Sequence, residues 1–229
     1  MPGTFATVLK RAADRKGGEK ALRANLPKVL QSSELAKRGD HEFLAAMTRC
    51  IFQAGFAWKV IEAKWPGFEE AFLGFSPVAL NALAEDAWTA YKSDTRIVKN
   101  GPKIKTVRVN ASMVQAVSVE HDGFGRYLAD WPTSDLVGLF ADLKRRGSHL
   151  GGVTGQRFLQ AVGKDSFALS KDVVACLKHE GLEIADTPAS KRDLKAIQDT
   201  FNAWHDESGL PYRHLSAIMA RSIGENYSM

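Results

Sequence analysis

The chain has 229 residues, 45% hydrophobic and 25% charged, which are ordinary globular values that exclude disordered and fibrous classes and allow one sizeable core with two lobes. A net charge of +5 is compatible with a polyanionic partner. Two cysteines, Cys50 and Cys176, and six scattered histidines give neither a disulfide framework nor a metal-ligand spacing, and no apolar run approaches the ~18 residues of a membrane span.

Thr4–Arg15 places Phe5, Val8, Leu9 and Ala12 at helical spacing. Gly17-Gly18 ends that helix, which reads as an ordinary first helix with no signal-peptide core. A short second helix reaches Leu26-Pro27, and Ser32-Ser33 are N-cap candidates for a brief one ending at Gly39. Asp40 is expected to cap the first strong element, with Phe43, Met47, Cys50, Ile51 and Ala54 on one face. Gln53-Ala54-Gly55 closes it. Phe56–Trp65 forms the next helix, stopped by Pro66-Gly67. Glu69–Phe75 and Pro77–Tyr91 continue the helical pattern, with Ser76 and Pro77 as a cap and first-position pair.

Pro102 opens a long helix carrying Ile104, Val107, Met113, Val114 and Val117, ending near Asp122-Gly123. Phe124–Trp131 is short and Pro132 terminates it. Ser134 caps a helix through Leu136, Leu139, Phe140 and Leu143. After Asp186–Ser190, a polar link, Leu194, Ile197, Phe201 and Trp204 form one stripe, and a last helix covers Leu215–Ile223. No alternating strand pattern and no internal repeat is visible. The fold class is all-α.

The stretch from Leu150 to Val174 organises the rest. Gly151, Gly152 and Gly155 fall within five residues, directly after Lys144, Arg145 and Arg146. Glycines before a helix let backbone N–H groups approach a phosphate, and the helix N-terminus adds partial positive charge. An apolar helix, a loop and a second helix opened by Ser170-Lys171-Asp172 follow. This is the pattern of a helix-hairpin-helix and points to DNA. The plain readings stand beside it. Asp172 can be a first-turn acid favoured by the helix dipole, Cys50 a packing residue, Trp58 a core residue, and the basic run a solvated helix end.

Three separated stretches resemble one family. Arg49–Trp65 (RCIFQAGFAWKVIEAKW), Thr95–Ile104 (TRIVKNGPKI) and Leu150–Ala161 (LGGVTGQRFLQA) are similar to bacterial 3-methyladenine DNA glycosylase I, in the same order and at similar separations. The resemblance covers roughly residues 40–180. It implies a helix-hairpin-helix glycosylase fold of two helical lobes around a base-binding cleft. Three parts are expected: an N-terminal helical extension over 1–39, a glycosylase-like core over 40–180 with the hairpin near 135–164, and C-terminal helices over 181–229 packing on the core.

The resemblance also implies roles. Trp58 matches the tryptophan that stacks on the excised base, with Cys50 and Gln53 beside it; Gly55 and Phe56 match the loop that plugs the gap left in the duplex. Cys50 stands where the family usually has a glutamate that hydrogen-bonds the methylated adenine. The family's zinc-holding residues are absent, so neither a metal nor another cofactor is expected. Asp172 falls where the wider superfamily keeps its catalytic aspartate, and Gln156 where bifunctional members carry a Schiff-base lysine. Gly151, Gly152, Val153, Thr154 and Gly155, with Lys144, Arg145 and Arg146, are the expected DNA contacts. A cytoplasmic, monomeric, monofunctional glycosylase acting on alkylated, 3-methyladenine-like purines in double-stranded DNA is the implied function, with no membrane partner. A non-catalytic DNA-binding relative is the alternative.

Overall fold

Helices supply every regular element among the described residues, 3–223; residues 1–2 and 224–229, which the expected terminal segments include, lie outside them. In this computed structural model the order is α1 (Phe5–Arg15), α2 (Glu19–Ala24), α3 (Ser32–Ala36), α4 (Asp40–Gln53), α5 (Trp58–Ala71), α6 (Pro77–Asn81) and α7 (Glu85–Ala90). There follow α8 (Gly101–His121), α9 (Phe124–Asp130), α10 (Leu136–Arg146), α11 (Gly152–Ala161), α12 (Lys171–His179), α13 (Lys191–Ser208) and α14 (Tyr212–Ser222). The all-α expectation holds. The described chain divides into two units. One gathers residues through Leu30, Pro132–Leu139 and those from Asp165; the other gathers Gln31–Trp131 and Phe140–Lys164.

The second unit is built around α4, which packs on α5, α8, α9 and α11. Phe43, Leu44, Met47, Ile51 and Phe52 are buried on α4, as are Ile104, Val107, Ala111, Val114 and Val117 on α8. Each of these side chains other than Ala111 contributes about 1.5–3 kcal/mol on burial. Gly39, not Asp40, occupies the cap position of α4. The Asp40 carboxylate is used elsewhere. It accepts from the Ser118 hydroxyl and from the Phe124 N–H at 3.1 Å, tying the start of α4 to the α8–α9 junction.

Further boundaries differ from expectation: Gln31 rather than Ser32 or Ser33 caps α3, and the last helix starts at Tyr212 rather than Leu215. Helix α5 starts at Trp58 rather than Phe56 and runs through Pro66 to Ala71. A proline inside a helix costs about 3 kcal/mol. Here its two sides are anchored: Trp65 stacks on Phe68 at 5.5 Å and on Phe75 at 5.3 Å, and Phe68 meets Phe52 edge-on at 4.8 Å. That buried aromatic cluster outweighs the missing hydrogen bond. Pro77–Tyr91 breaks into α6 and α7, with Ser76 capping as expected by accepting from Ala79 N–H at 3.3 Å. Before α10, Asp135 rather than Ser134 takes the cap, accepting from Gly138 N–H at 3.1 Å.

The first unit packs α1 on α13 and α14, and α12 on α14. Phe5 meets Trp204 at 5.5 Å, and Phe167 stacks on Phe201 at 4.2 Å. Glu207 on α13 accepts the Phe5 and Ala6 N–H groups at 3.0 and 3.2 Å, neutralising the positive end of α1. Arg11 pairs with Glu180 at 2.7 Å, beside Cys176 and Ser222. Serine caps recur, Ser170 on Val173 N–H at 3.3 Å and Ser190 on Asp193 N–H at 3.0 Å.

Candidate functional site

The loop between α4 and α5 is held from below by Lys103, which was not among the residues expected at the site. Asn100 caps α8 by accepting the Lys103 N–H at 3.0 Å, and Gly101-Pro102 open the helix. This start turns Lys103 toward the end of α4. Its ammonium donates to the carbonyls of Ile51 at 2.8 Å, Phe52 at 3.2 Å, and Ala54. A cation at a helix C-terminus satisfies orphan acceptors and complements the dipole. The same ammonium lies 4.6 Å from the Phe56 ring centroid. Burial lowers the Lys103 pKa from its ordinary value. The signal was present in the KNGPKI run of Thr95–Ile104, where Lys103 follows the capping asparagine by three residues.

Above this brace the chain turns at Gly55, whose φ of +94° disfavours any other residue and whose surroundings are otherwise open. Phe56 is half-buried and Ala57 occupies the cap position of α5. Trp58, first in that helix, is 57% exposed, so the core reading of this tryptophan is excluded. The Arg157 guanidinium carbon, from α11, lies over its ring at 6.0 Å.

Cys50, one turn before the end of α4, is a half-buried free thiol. Burial pushes its pKa up to about 11, against the opposing charges of Arg157 and Arg49. It therefore carries no charge at neutral pH. Gln53 donates to Glu62 at 2.9 Å, and Arg49 approaches the same carboxylate at 3.7 Å while lying 4.0 Å over Trp65.

The glycine turn between α10 and α11 is fixed by α8. Asn110, buried, accepts from Ser148 N–H at 2.7 Å and donates to Ser148 C=O at 3.1 Å. A Cβ on Gly155 would lie 2.1 Å from the Leu150 carbonyl oxygen, so close packing of the turn requires that glycine. Gly152 has φ +56° and open space around it, whereas Gly151 caps α11 in extended conformation. Val153 is exposed and Thr154 half-buried. A cavity of about 320 Å³ joins this turn to the α4 loop, lined by Ile51, Ala54, Lys103, His149, Gly151 and Thr154. A wider one of about 1080 Å³ runs beside Trp88, Lys105 and Val109, and Arg146 alone of the expected site residues lines it.

The basic run divides. Arg145 pairs with Asp142, and Arg146 with Glu120 at 2.8 Å and Asp142 at 3.0 Å. Lys144 is exposed and forms no ion pair among the described residues. Gln156 is buried. Asp172 belongs to the first unit, exposed in the first turn of α12, its carboxylate with no hydrogen bond or ion pair among the described residues. No group of three His, Cys, Asp or Glu side chains converges among the described residues. No helix there is long and apolar enough to cross a membrane.

The fold is that of the all-helical DNA glycosylases. A solved variant of 3-methyladenine DNA glycosylase I in complex with 3-methyladenine superposes with a TM-score of 0.50 at 18% identity, covering 76% of this chain and 94% of that one. The Staphylococcus aureus 3-methyladenine DNA glycosylase I gives 0.49 at 20% identity over 68% and 91% of the two chains. Residues 35–137 match the family model described as methyladenine glycosylase, a span that includes Cys50, Gln53, Gly55, Phe56, Trp58 and Lys103. The chain resembles 3-methyladenine DNA glycosylase I in fold and, over residues 35–137, in sequence.

Proposed function

We propose that the chain is a monofunctional DNA glycosylase that hydrolyses the N-glycosidic bond of an alkylated purine in double-stranded DNA. The observation that carries this reading is Trp58, exposed at the head of α5 beside a loop braced by Lys103. An exposed aromatic costs solvation unless something stacks on it, and a base turned out of the duplex is such a partner. Gly55 and Phe56 fill the gap that the base leaves, offsetting the few kcal/mol of unstacking. The amides of Gly151–Gly155 hold a phosphate, with Lys144, Arg145 and Arg146 supplying sequence-independent attraction. The enzyme works as a cytoplasmic monomer without a metal.

Water attacks the sugar at C1′ and gives up a proton, the bond electrons leave with the base, and the products are free base, an abasic site and that proton. The proton passes to solvent when the purine is cationic, or to the departing base when the purine is uncharged. Positive charge develops on the sugar, and the Asp172 carboxylate stabilises it. Gln156 offers no amine, so no Schiff base forms and the strand is not cut.

The test is single-turnover excision from duplexes carrying one defined alkylated purine, with Asp172→Asn and Trp58→Ala alongside. Asp172→Asn should lose about 10²–10³ in rate while keeping duplex affinity and melting temperature. Full excision by that variant returns Asp172 to a helix-start role. Duplex binding without excision of any lesion identifies instead a non-catalytic DNA-binding relative.

A further inference from the structure

The charges around Trp58 bear on which base it receives. Arg157 sits over the ring at 6.0 Å and forms no ion pair among the described residues. Cys50, whose thiol feels the charges of Arg157 and Arg49, is itself neutral at physiological pH. The neighbouring carboxylate, Glu62, is engaged by Gln53 at 2.9 Å and faces Arg49 at 3.7 Å. Lys103 stands under the loop and adds a further positive charge. Counting Arg49 against Glu62, the net balance is positive.

A flat base between two stacking partners needs two van der Waals contact distances of about 3.5 Å, or about 7 Å in all. The guanidinium over Trp58 is already within about 1 Å of that opening, so a small swing of Arg157 makes a slot. A guanidinium stacks favourably on a neutral π-face, and at 6.0 Å from the indole centroid Arg157 is within cation–π range but not in stacking contact. Against a base with a fixed positive charge the same contact is repulsive, and no free carboxylate in this set compensates.

We propose that Arg157 and Trp58 clamp an uncharged alkylated purine between them, making Arg157 the residue that selects against cationic lesions. This rests on the glycosylase reading above and names its substrate class. The C1′–N bond is broken as before; an uncharged purine leaves with the electron pair as an anion and takes up the proton that the attacking water gives up.

The experiment compares single-turnover excision of 1,N6-ethenoadenine, uncharged, with that of 7-methylguanine, cationic, in otherwise identical duplexes. Wild type, Arg157→Gln, Arg157→Glu and Cys50→Glu are compared, with affinity for undamaged duplex measured in parallel. Wild type should favour ethenoadenine. Arg157→Glu should move the ratio of rates toward 7-methylguanine by roughly ten- to a hundredfold, the scale of one partly screened charge contact at about 6 Å. Arg157→Gln should move it less, and Cys50→Glu in the same direction. Undamaged-duplex affinity, which a general phosphate contact would govern, should change less than the ratio. Because Arg157 is exposed, its variants should fold even if Cys50→Glu does not. A wild-type preference for 7-methylguanine, or a ratio that Arg157→Glu leaves unmoved, overturns the clamp while leaving the glycosylase intact. Excision of neither lesion, nor of any other alkylated purine, overturns the glycosylase reading and the clamp with it.

Discussion

The ammonium of Lys103 lies 4.6 Å from the centre of the Phe56 ring while donating to the Ile51 carbonyl at 2.8 Å. One side chain thus ends α4 and supports the aromatic that the loop presents. Its place in the first turn of α8 follows from the Asn100 cap, so loop geometry depends on a helix start 44 residues downstream of Phe56 (100 − 56).

Lys103→Met should leave the carbonyls of Ile51, Phe52 and Ala54 without their cation. Unmaking hydrogen bonds to a charged donor costs about 1.5–3 kcal/mol. The urea midpoint should fall accordingly, and limited proteolysis should cut first within Ala54–Ala57. An unchanged midpoint with a protected loop would show that the brace is dispensable.

Cys50 should behave as a reluctant thiol. The folded protein keeps its proton up to about 11, whereas an unfolded thiol releases it near 9.0. The stability held by this site is intact below pH 9 and is lost as pH rises through 11. In a Cys176→Ala background, iodoacetamide labelling should be slow at pH 8 and rise with a midpoint near 11. Because Arg157 opposes the effect of burial, Arg157→Gln should push that midpoint higher still. A midpoint at the ordinary value would contradict the burial of Cys50.

Two hairpin glycines should respond differently to alanine. At Gly155 a methyl meets the Leu150 carbonyl oxygen at 2.1 Å, and the turn must shift, at about 1–3 kcal/mol. Gly152→Ala meets open space and carries only the conformational penalty of φ +56°, about 1–2 kcal/mol. Thermal melts should therefore rank Gly155→Ala as the less stable protein. The reverse order would refute the packing assigned to Gly155.

The basic run should separate in the same way. Lys144→Gln removes an unpaired cation, so duplex affinity should lose about one unit of salt slope with little change in melting temperature. Arg146→Gln leaves Glu120 and Asp142 short of a partner and should lower the melting temperature. Burial raises the Asp142 pKa, but hydrogen bonds from Tyr127 and Arg145, with the charge of Arg146, bring it below the ordinary carboxylate value of 3.8. The stability from that cluster is present above pH 3.8 and is lost as pH falls through the depressed value. Arg146→Gln should weaken this acid sensitivity, measurable by melting between pH 5 and 2. Identical acid profiles would exclude the cluster as its source.

Local chemistry alone carried much of this protein. Apolar spacing of 3.6 residues located the helices, because a helix that buries one face must repeat it along the chain. Ser76 was legible as a cap for a similar reason: the partner of a capping oxygen lies three residues away. The glycine turn and Trp58 were visible too, the latter through the run around Gln53-Ala54-Gly55. Tertiary structure decided what depends on distant partners. Pro66 reads as a stop until Trp65 and Phe68 are seen locked against Phe75 and Phe52. Asp40 reads as a cap until Ser118 and Phe124 claim its carboxylate. Lys144, Arg145 and Arg146 look alike in sequence, and only folding brings Glu120 to Arg146. Lys103 under Phe56 and Arg157 over Trp58 join residues 47 and 99 positions apart (103 − 56 and 157 − 58). Spacing along a chain cannot encode such contacts, because they arise from how helices pack and not from the period within any one of them.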